Sequence, residues 1–357
     1  MEAKWSALVS YGLSTRMLQD FLPVDERLSP STVRNHTIKA AERCEKELGQ
    51  EKAELVSDRN ANSDKASEPN PINVGIDGGY LRQWHKKGRN FAVIVGKSVP
   101  TEGRAKCFGA VQQHDTDPQQ RLLSLLLSQG LSWGQSVRFL SAGEAAIREL
   151  QLRMGPYSEH VLDWFHVTMR FTVLKQYVKG LVRLEKNAEE YKYSSPAYDA
   201  QKKVDSAKWK LWHGKVEDAL ERIEDLSFIV ANFEERYPKY KKLEKTIEEL
   251  LTYIDRNRRQ IPDYGQAYRS GQVISTAFIE SLVNSLLDKR FSKRQQMQWT
   301  PRGAHLLLQI RTRLANGELR DTFRRWYPHL SPDERPRAPV AVNNNADIAP
   351  ESFAAAA

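Results

Sequence analysis

Cysteine is almost missing from this chain. Cys44 and Cys107 are the only two among 357 residues, and no C-x-x-C pair exists. That usage argues against a structural zinc site and against a disulfide framework, and it suits a reducing compartment. Long apolar runs are missing too: none could span a bilayer, so no membrane partner is expected. The N-terminus lacks the cationic and apolar regions of a signal peptide. The expected location is therefore the cytoplasm, beside the nucleoid. Negative charge is in deficit, with 45 Asp and Glu against 54 Lys and Arg, a net charge of +9. Excess cation favours polyanionic partners, because each neutralised phosphate releases condensed counterions. Charge alone also fits a merely basic soluble protein. At 40% hydrophobic and 28% charged residues, the composition is that of a globular chain with a main domain and one or two smaller pieces.

Residues from Lys4 to about Glu54 read as helical. Trp5, Leu8, Val9, Leu13, Met17, Leu18 and Phe21 follow helical spacing until Pro23 breaks the run. A second helix is expected from Ser29-Pro30-Ser31-Thr32, where Ser and Pro are start signals, through Val33, Ile38, Ala41 and Cys44. The pair, within 1–57, reads in two ways. It is a helix-turn-helix offering Arg34, Asn35, His36 and Lys39 to a major groove, or a plain helical hairpin docked on the next domain. A polar stretch over 58–70 reads as a linker.

From residue 71 the pattern changes. INVGIDGGYL, NFAVIVGKSV and AKCFGAVQQH have the length, β-branched content and turn residues of a strand meander. A helix (PQQRLLSLLLSQGL), a strand (SVRFLSAG), a helix (EAAIRELQLRM), a fifth strand (EHVLDWFH) and a helix (VTMRFTVLKQYVKGL) follow, up to residue 184. Residues 185–270 are charged and helical, with Val216, Leu220, Ile223 and Leu226, then Leu243, Ile247, Leu250, Leu251 and Ile254, at three- and four-residue steps. They are expected to form an all-helical insertion. Within 271–330, STAFIESLVNSLLDKRF and TPRGAHLLLQIRTRLANG read as amphipathic helices. The second has Thr300 as N-cap, Pro301 in its first turn and Gly317 as its stop. The tail over 331–357, rich in Pro, Asn and Ala, is expected to be disordered.

Three antiparallel strands, then helix, strand, helix, strand and helices, is the order of an RNase H-like α/β domain: a mixed five-stranded sheet with helices. That fold places one carboxylate on the first strand, one just after the fourth and one on a later helix. Phosphodiester cleavage and strand transfer use two divalent ions, about 3.5–4 Å apart. Mg2+ (or Mn2+) is a hard cation that takes carboxylate oxygens. Asp77, at the end of an apolar strand, fits the first position, and Gly78 and Gly79 after it would give phosphate room to approach. An Asp-Gly turn is an equally good account of Asp77. Glu280 fits the third position, at the edge of an apolar face made by Phe278, Leu282, Val283, Leu286 and Leu287. An ordinary solvated glutamate would look the same. Where the second acid is expected stands Ala142, between Ser141 and Gly143, and alanine binds no metal. Glu144 either reaches into the site or opens the next helix, where an acid suits the helix dipole. Asp163 and His166, three residues apart, can face the same way. They support a metal or DNA site, or they are a helix N-cap and a buried histidine.

The phrases GIDGGYLR, HVLDWFHVTMR, TAFIESLVNSLLDKR and QQMQWTPRGAHLLLQIRTR, with KWSALVSYGL and STVRNH upstream, together resemble the ISKra family of bacterial insertion-sequence transposases, related to the Mutator-like group. The resemblance runs from about Lys4 to Leu330. It implies a DDE enzyme that binds double-stranded DNA at terminal inverted repeats, cleaves it and joins it to target DNA. It also implies a homodimer or higher oligomer on DNA, with Mg2+ or Mn2+ held by Asp77 and Glu280. Asp163 and His166 match the C/D-x-x-H motif that follows the second Asp in these groups. The second catalytic Asp belongs to an SDG phrase, which here is Ser141-Ala142-Gly143. The chain therefore reads as a catalytically disabled transposase. The alternatives are a transposase-derived protein that only binds DNA, and an RNase H-like nuclease for RNA or branched DNA.

Past Glu280 the sequence is basic: Lys289, Arg290, Lys293, Arg294, Arg302, Arg311 and Arg313, then Arg320, Arg324 and Arg325, interleaved with Trp299, Trp326 and Tyr327. Cations grip phosphate and aromatic rings stack on unpaired bases. The cations are expected on DNA, and Trp299 and Trp326 mostly in the core. The lysines of 185–270 often alternate with Glu and read as solvated surface.

Overall fold

The computed structural model describes residues 1–59, 71–84, 89–132, 135–154, 158–186, 195–292 and 299–329. The expected tail, and the expected linker apart from its first two residues, lie outside the described residues. Five strands form one mixed sheet in the order β3-β2-β1-β4-β5. They are β1 (Ile72–Arg82), β2 (Asn90–Val99), β3 (Lys106–Val111), β4 (Val137–Ser141) and β5 (Ser158–Leu162). β1, β2 and β3 pair antiparallel, as the expected meander does. β1 with β4, and β4 with β5, pair parallel. Parallel neighbours need crossovers, here supplied by α4 (Pro118–Leu127) and α5 (Ala145–Leu152).

β1 sets the two faces by alternation. Ile72, Val74 and Ile76 pack with Phe139 of β4 against Leu122 and Leu126 of α4 and Ile147 of α5. Leu81 shares the opposite face with Val93, Val95 and Cys107, under α11 (Ala277–Val283), the turns that follow it, and α12 (Pro301–Ala315). Fully burying each such aliphatic side chain stabilises the fold by about 1.5–3 kcal/mol. The expected single helix over STAFIESLVNSLLDKRF is two kinds of winding: α hydrogen bonding stops at Val283, and Asn284–Ser292 form a π-helical segment of nine residues. Leu286, Leu287 and Phe291 still reach the sheet. Apolar spacings of three and four suit either winding, so the sequence pattern could not separate them.

A third core lies beyond β5. Leu140, Val161 and Leu162 pack with Phe171 and Leu174 of α6 (Trp164–Lys186), and the cluster continues through α7 (Pro196–Trp212), α8 (Val216–Ala231) and α9 (Tyr240–Arg256). The stripes expected at Val216–Leu226 and Leu243–Ile254 line this core. α10 (Tyr264–Arg269) returns the chain to the sheet, where the Tyr264 hydroxyl donates to the Leu162 carbonyl at 2.7 Å.

At the N-terminus, the helix expected ahead of Pro23 is also two: α1 (Glu2–Leu8) and α2 (Tyr11–Phe21). Val9 is extended, and Ser10 caps α2 by accepting from the Leu13 amide at 3.3 Å. α3 (Pro30–Arg59) starts where expected, with the Thr32 amide donating to Ser29 Oγ at 3.1 Å. α3 is docked on α4 and α12 around Glu45. Arg121 of α4 donates to Glu45 from both terminal nitrogens, at 3.0 and 2.8 Å, and from Nε to Asp115 at 2.9 Å. His305 Nε2 meets Glu45 at 3.1 Å. Burial alone would raise the Glu45 carboxyl; the hydrogen bonds from His305 and Arg121 overcome it and hold Glu45 at about 2.

Residues 1–319 form one compact unit, and a second begins at Arg320. α13 (Leu319–Trp326) leads into the second, where the Phe323 ring meets those of Trp326 and Tyr327 at 5.1 and 6.3 Å.

Candidate carboxylate site

Asp77 stands in the middle of β1, on the face opposite Ile76, and its Oδ1 accepts from the Gly78 amide at 2.8 Å. The glycines around it serve a helix. A Cβ on Gly75 would fall 2.1 Å from Ile279 Cδ1, and a Cβ on Gly79 would fall 2.8 Å from Leu287 Cδ1. Bare backbone on either side of Asp77 thus lets α11 and its π continuation lie directly on the strand. This corrects the expectation that the space beside Asp77 is kept for phosphate: at Gly79 a leucine fills it. Glu280 is carried on α11 next to Ile279 and is exposed.

Strand register brings in the second position. The last β1–β4 pair is Gly75 with Leu140, so Asp77 on β1 and Ala142, just past the end of β4, each come two residues after it. Glu144 does not take the place of the missing acid. Its Oε2 lies 3.6 Å from where a Cβ on Gly78 would sit, which is the other face of β1 from Asp77. It occupies the N-cap position of α5. Among the described residues, no three His, Cys, Asp or Glu side chains gather closely enough to hold a metal ion. With Ala142 in place, the residues present do not fit the Mg2+ or Mn2+ pair expected from the sequence.

The turn carrying Ala142 is held from two sides. Ser141 Oγ meets His160 Nε2 at 3.1 Å, and burial, helped by the positive Arg148, pushes His160 down to about 4. Gly143 adopts φ +84°, and a Cβ there would come within 2.4 Å of Asn257 Oδ1. Asn257 is buried at the end of α9, donates to the Tyr253 carbonyl at 2.7 Å and accepts from Arg148. Gly143→Ala is expected to cost about 1–3 kcal/mol, since it adds both left-handed strain and a clash. Urea unfolding should show a lower midpoint at unchanged slope; an unshifted midpoint would show that Asn257 does not pin this turn.

Asp163 follows β5 and is fully buried. Its Oδ1 accepts from the amides of Phe165 at 3.0 Å and Thr276 at 2.9 Å. Its Oδ2 accepts from His166 Nδ1 at 2.5 Å and from the Thr276 hydroxyl. The Trp164 amide adds a bond to the Ile274 carbonyl at 3.1 Å. Thr276 is the N-cap residue of α11, but its hydroxyl serves Asp163 and not its own helix. The end of β5 is thereby tied to the start of the helix that carries Glu280. Burial alone would raise the Asp163 carboxyl, but the hydrogen bonds from His166 and Thr276 outweigh it and hold it below the usual carboxylate range. His166 is raised, chiefly by its bond to Asp163, with the Asp77 charge adding to it. The Asp77 field therefore reaches this pair. Of the two roles the sequence left open for Asp163, its geometry is that of the N-cap of α6, accepting from the Phe165 amide. Thr276 and Asn257 were missed; a threonine just ahead of a helix was the available signal for the first, and Asn257 had none.

The cations expected on DNA divide. Arg34, Asn35, His36 and Lys39 are all exposed on α3, with His36 Nδ1 2.6 Å from Glu2. Lys289 is exposed, Arg302 is exposed beside Glu42, and Arg313 is half-buried, 3.5 Å from the Cys44 carbonyl. Lys293 and Arg294 lie outside the described residues. Arg290 and Arg311 are corrections. Arg290 is fully buried, donates from Nε to the Ser6 carbonyl at 3.1 Å and lies 5.1 Å from the ring centres of Tyr11 and Trp299. Arg311 donates from Nε to the Leu286 carbonyl at 2.8 Å and also to Ser285, and burial lowers it to about 10. Both guanidinium groups satisfy backbone carbonyls inside the fold, where no phosphate reaches. No protein-family model and no curated protein matches this chain.

Proposed function

We propose that this chain is a DDE-type transposase of the ISKra kind, built on an RNase H-like domain, that binds insertion-sequence ends and is disabled for cleavage by Ala142. The observation that carries the reading is the register: Asp77 and Ala142 each come two residues after the last pair of the parallel β1–β4 ladder, and the helix that bears Glu280 lies on β1 beside Asp77. The strand order β3-β2-β1-β4-β5 supports the RNase H-like assignment, and helices α7 to α10, between α6 and α11, support the reading of an insertion. The exposed Arg34, Asn35, His36 and Lys39 favour major-groove contact by the first part of α3, while its second part docks on α4 and α12. The partners in this reading are inverted-repeat ends and target DNA, engaged by two or more copies of the chain beside the nucleoid.

A second reading is a transposase-derived protein that only binds DNA. The absence of a three-ligand cluster among the described residues favours it for the chain as it stands. Both readings predict binding to specific ends, and they part at Ala142→Asp. Nicking by that variant, lost again when Asp77→Ala is added, supports the first. No nicking on DNA that both forms bind supports the second.

A further inference from the structure

The outer half of the β1–β2 hairpin carries a face that neither reading of the carboxylate site uses. Alternation along β1 puts Gly78, Tyr80 and Arg82 on the side of Ile72, Val74 and Ile76, and Trp84 follows two residues past the end of the strand, at a bend. The inner residues of that row are covered by α4 and α5. The outer ones are not: Tyr80 is 68% exposed and Trp84 59% exposed, and Arg82 is exposed between them. Across the ladder Tyr80 pairs with Ala92 and Arg82 with Asn90, both too small to cover a ring. Arg89 is exposed at the same end, and neither Arg82 nor Arg89 forms an ion pair among the described residues. The backbone beneath is firm. The Trp84 amide donates to the Trp299 carbonyl at 3.0 Å, and the Trp299 amide to the Arg82 carbonyl at 2.9 Å.

Exposed aromatics on either side of a cation, at the end of a strand and just past it, match the needs of an unpaired nucleic-acid strand: rings for bases and cations for phosphates. We propose that Tyr80, Arg82 and Trp84, with Arg89, form a platform for single-stranded DNA. The row lies on the face of β1 opposite Asp77, so the platform is a surface separate from the carboxylate site. An isolated apolar patch would call for another protein. Arg82 between the rings and Arg89 at the same end, neither in an ion pair among the described residues, on a chain of net charge +9, call for a polyanion.

The test is anisotropy of a labelled oligothymidylate with the full chain. Tyr80→Ala and Trp84→Ala should each weaken binding at least about fivefold, and Trp84→Phe should restore most of it. Arg82→Ala should lower the salt slope by about 0.7. Phe228→Ala, which removes another exposed ring (78% exposed) on α8, should change nothing. No binding by the unaltered chain, or equal binding by all variants, overturns the proposal. So does a change of oligomeric state in Trp84→Ala with unchanged affinity, which would make the face a contact between copies. These readouts need no cleavage, so the platform fails or stands separately from the Ala142→Asp experiment.

Discussion

Ala142→Asp is expected to raise divalent-cation-dependent nicking of DNA at least about a hundredfold over the unaltered chain. One well-aimed group at a phosphoryl-transfer or acyl-transfer centre is worth about 10²–10³ in rate when added or removed. Ala142 is only partly buried, so a carboxyl can be accommodated. It would stand two residues beyond the last β1–β4 pair, as Asp77 does. Two carboxylates at that spacing repel, and without a cation one of them takes up a proton more readily. The variant should therefore be less stable than the unaltered chain in chelator, and should regain stability as Mn2+ is added. The unaltered chain should show little response to Mn2+. This thermal readout stands apart from activity and separates a missing ligand from a damaged fold. If Mn2+ stabilises both forms equally and neither nicks DNA that both bind, Ala142 is not the missing part and the enzyme reading fails.

Much of the arrangement around Asp77 is local and was therefore legible. The start of an apolar strand at Ile72 and a helix start marked by Thr300 and Pro301 depend on neighbours in sequence, although the strand runs on through Asp-Gly-Gly to Arg82 and does not end there as expected. The three-strand meander, the two crossover helices and the helical stripe of α9 belong to the same class. What could not be read depends on segments that meet only after folding. Arg290 looked like a surface cation in a basic run, yet its carbonyl partner is Ser6, 284 residues away. Arg311 looked the same and serves Leu286 and Ser285. Charge patterning assigns a cation to the surface by default, and a buried guanidinium that satisfies carbonyls leaves no mark in composition. The break at Ser10 was lost because one polar residue inside an apolar run does not disturb helical spacing. The role of Gly75 and Gly79 was misread for a related reason. A glycine announces a close approach but not what approaches, and here it is Ile279 and Leu287.

Asp163→Ala should destabilise the fold by at least about 4 kcal/mol. The residue is fully buried, and its two oxygens accept from two amides, one hydroxyl and one imidazole. Each buried donor left without a partner costs about 1–3 kcal/mol. His166 can find water, its side chain being 31% exposed, whereas both Thr276 donors are buried. Asp163→Asn keeps one acceptor for the amides, and Thr276 and neutral His166 can reverse their roles, so its cost should be about 1–2 kcal/mol. The two variants differ more in their response to pH. In the native chain Asp163 is held below its ordinary 3.8, so its contribution is complete above that pH and is lost as pH falls through the lower native value. His166 is raised above 6.5, so its contribution is complete below that pH and is lost as pH rises through the higher native value. Stability contributed by the pair should therefore be greatest between 3.8 and 6.5 and fall on both sides. Asp163→Asn should flatten both limbs at once, since neither shift survives without the carboxylate. A flattened alkaline limb with an unchanged acid limb would place the acid-sensitive group elsewhere.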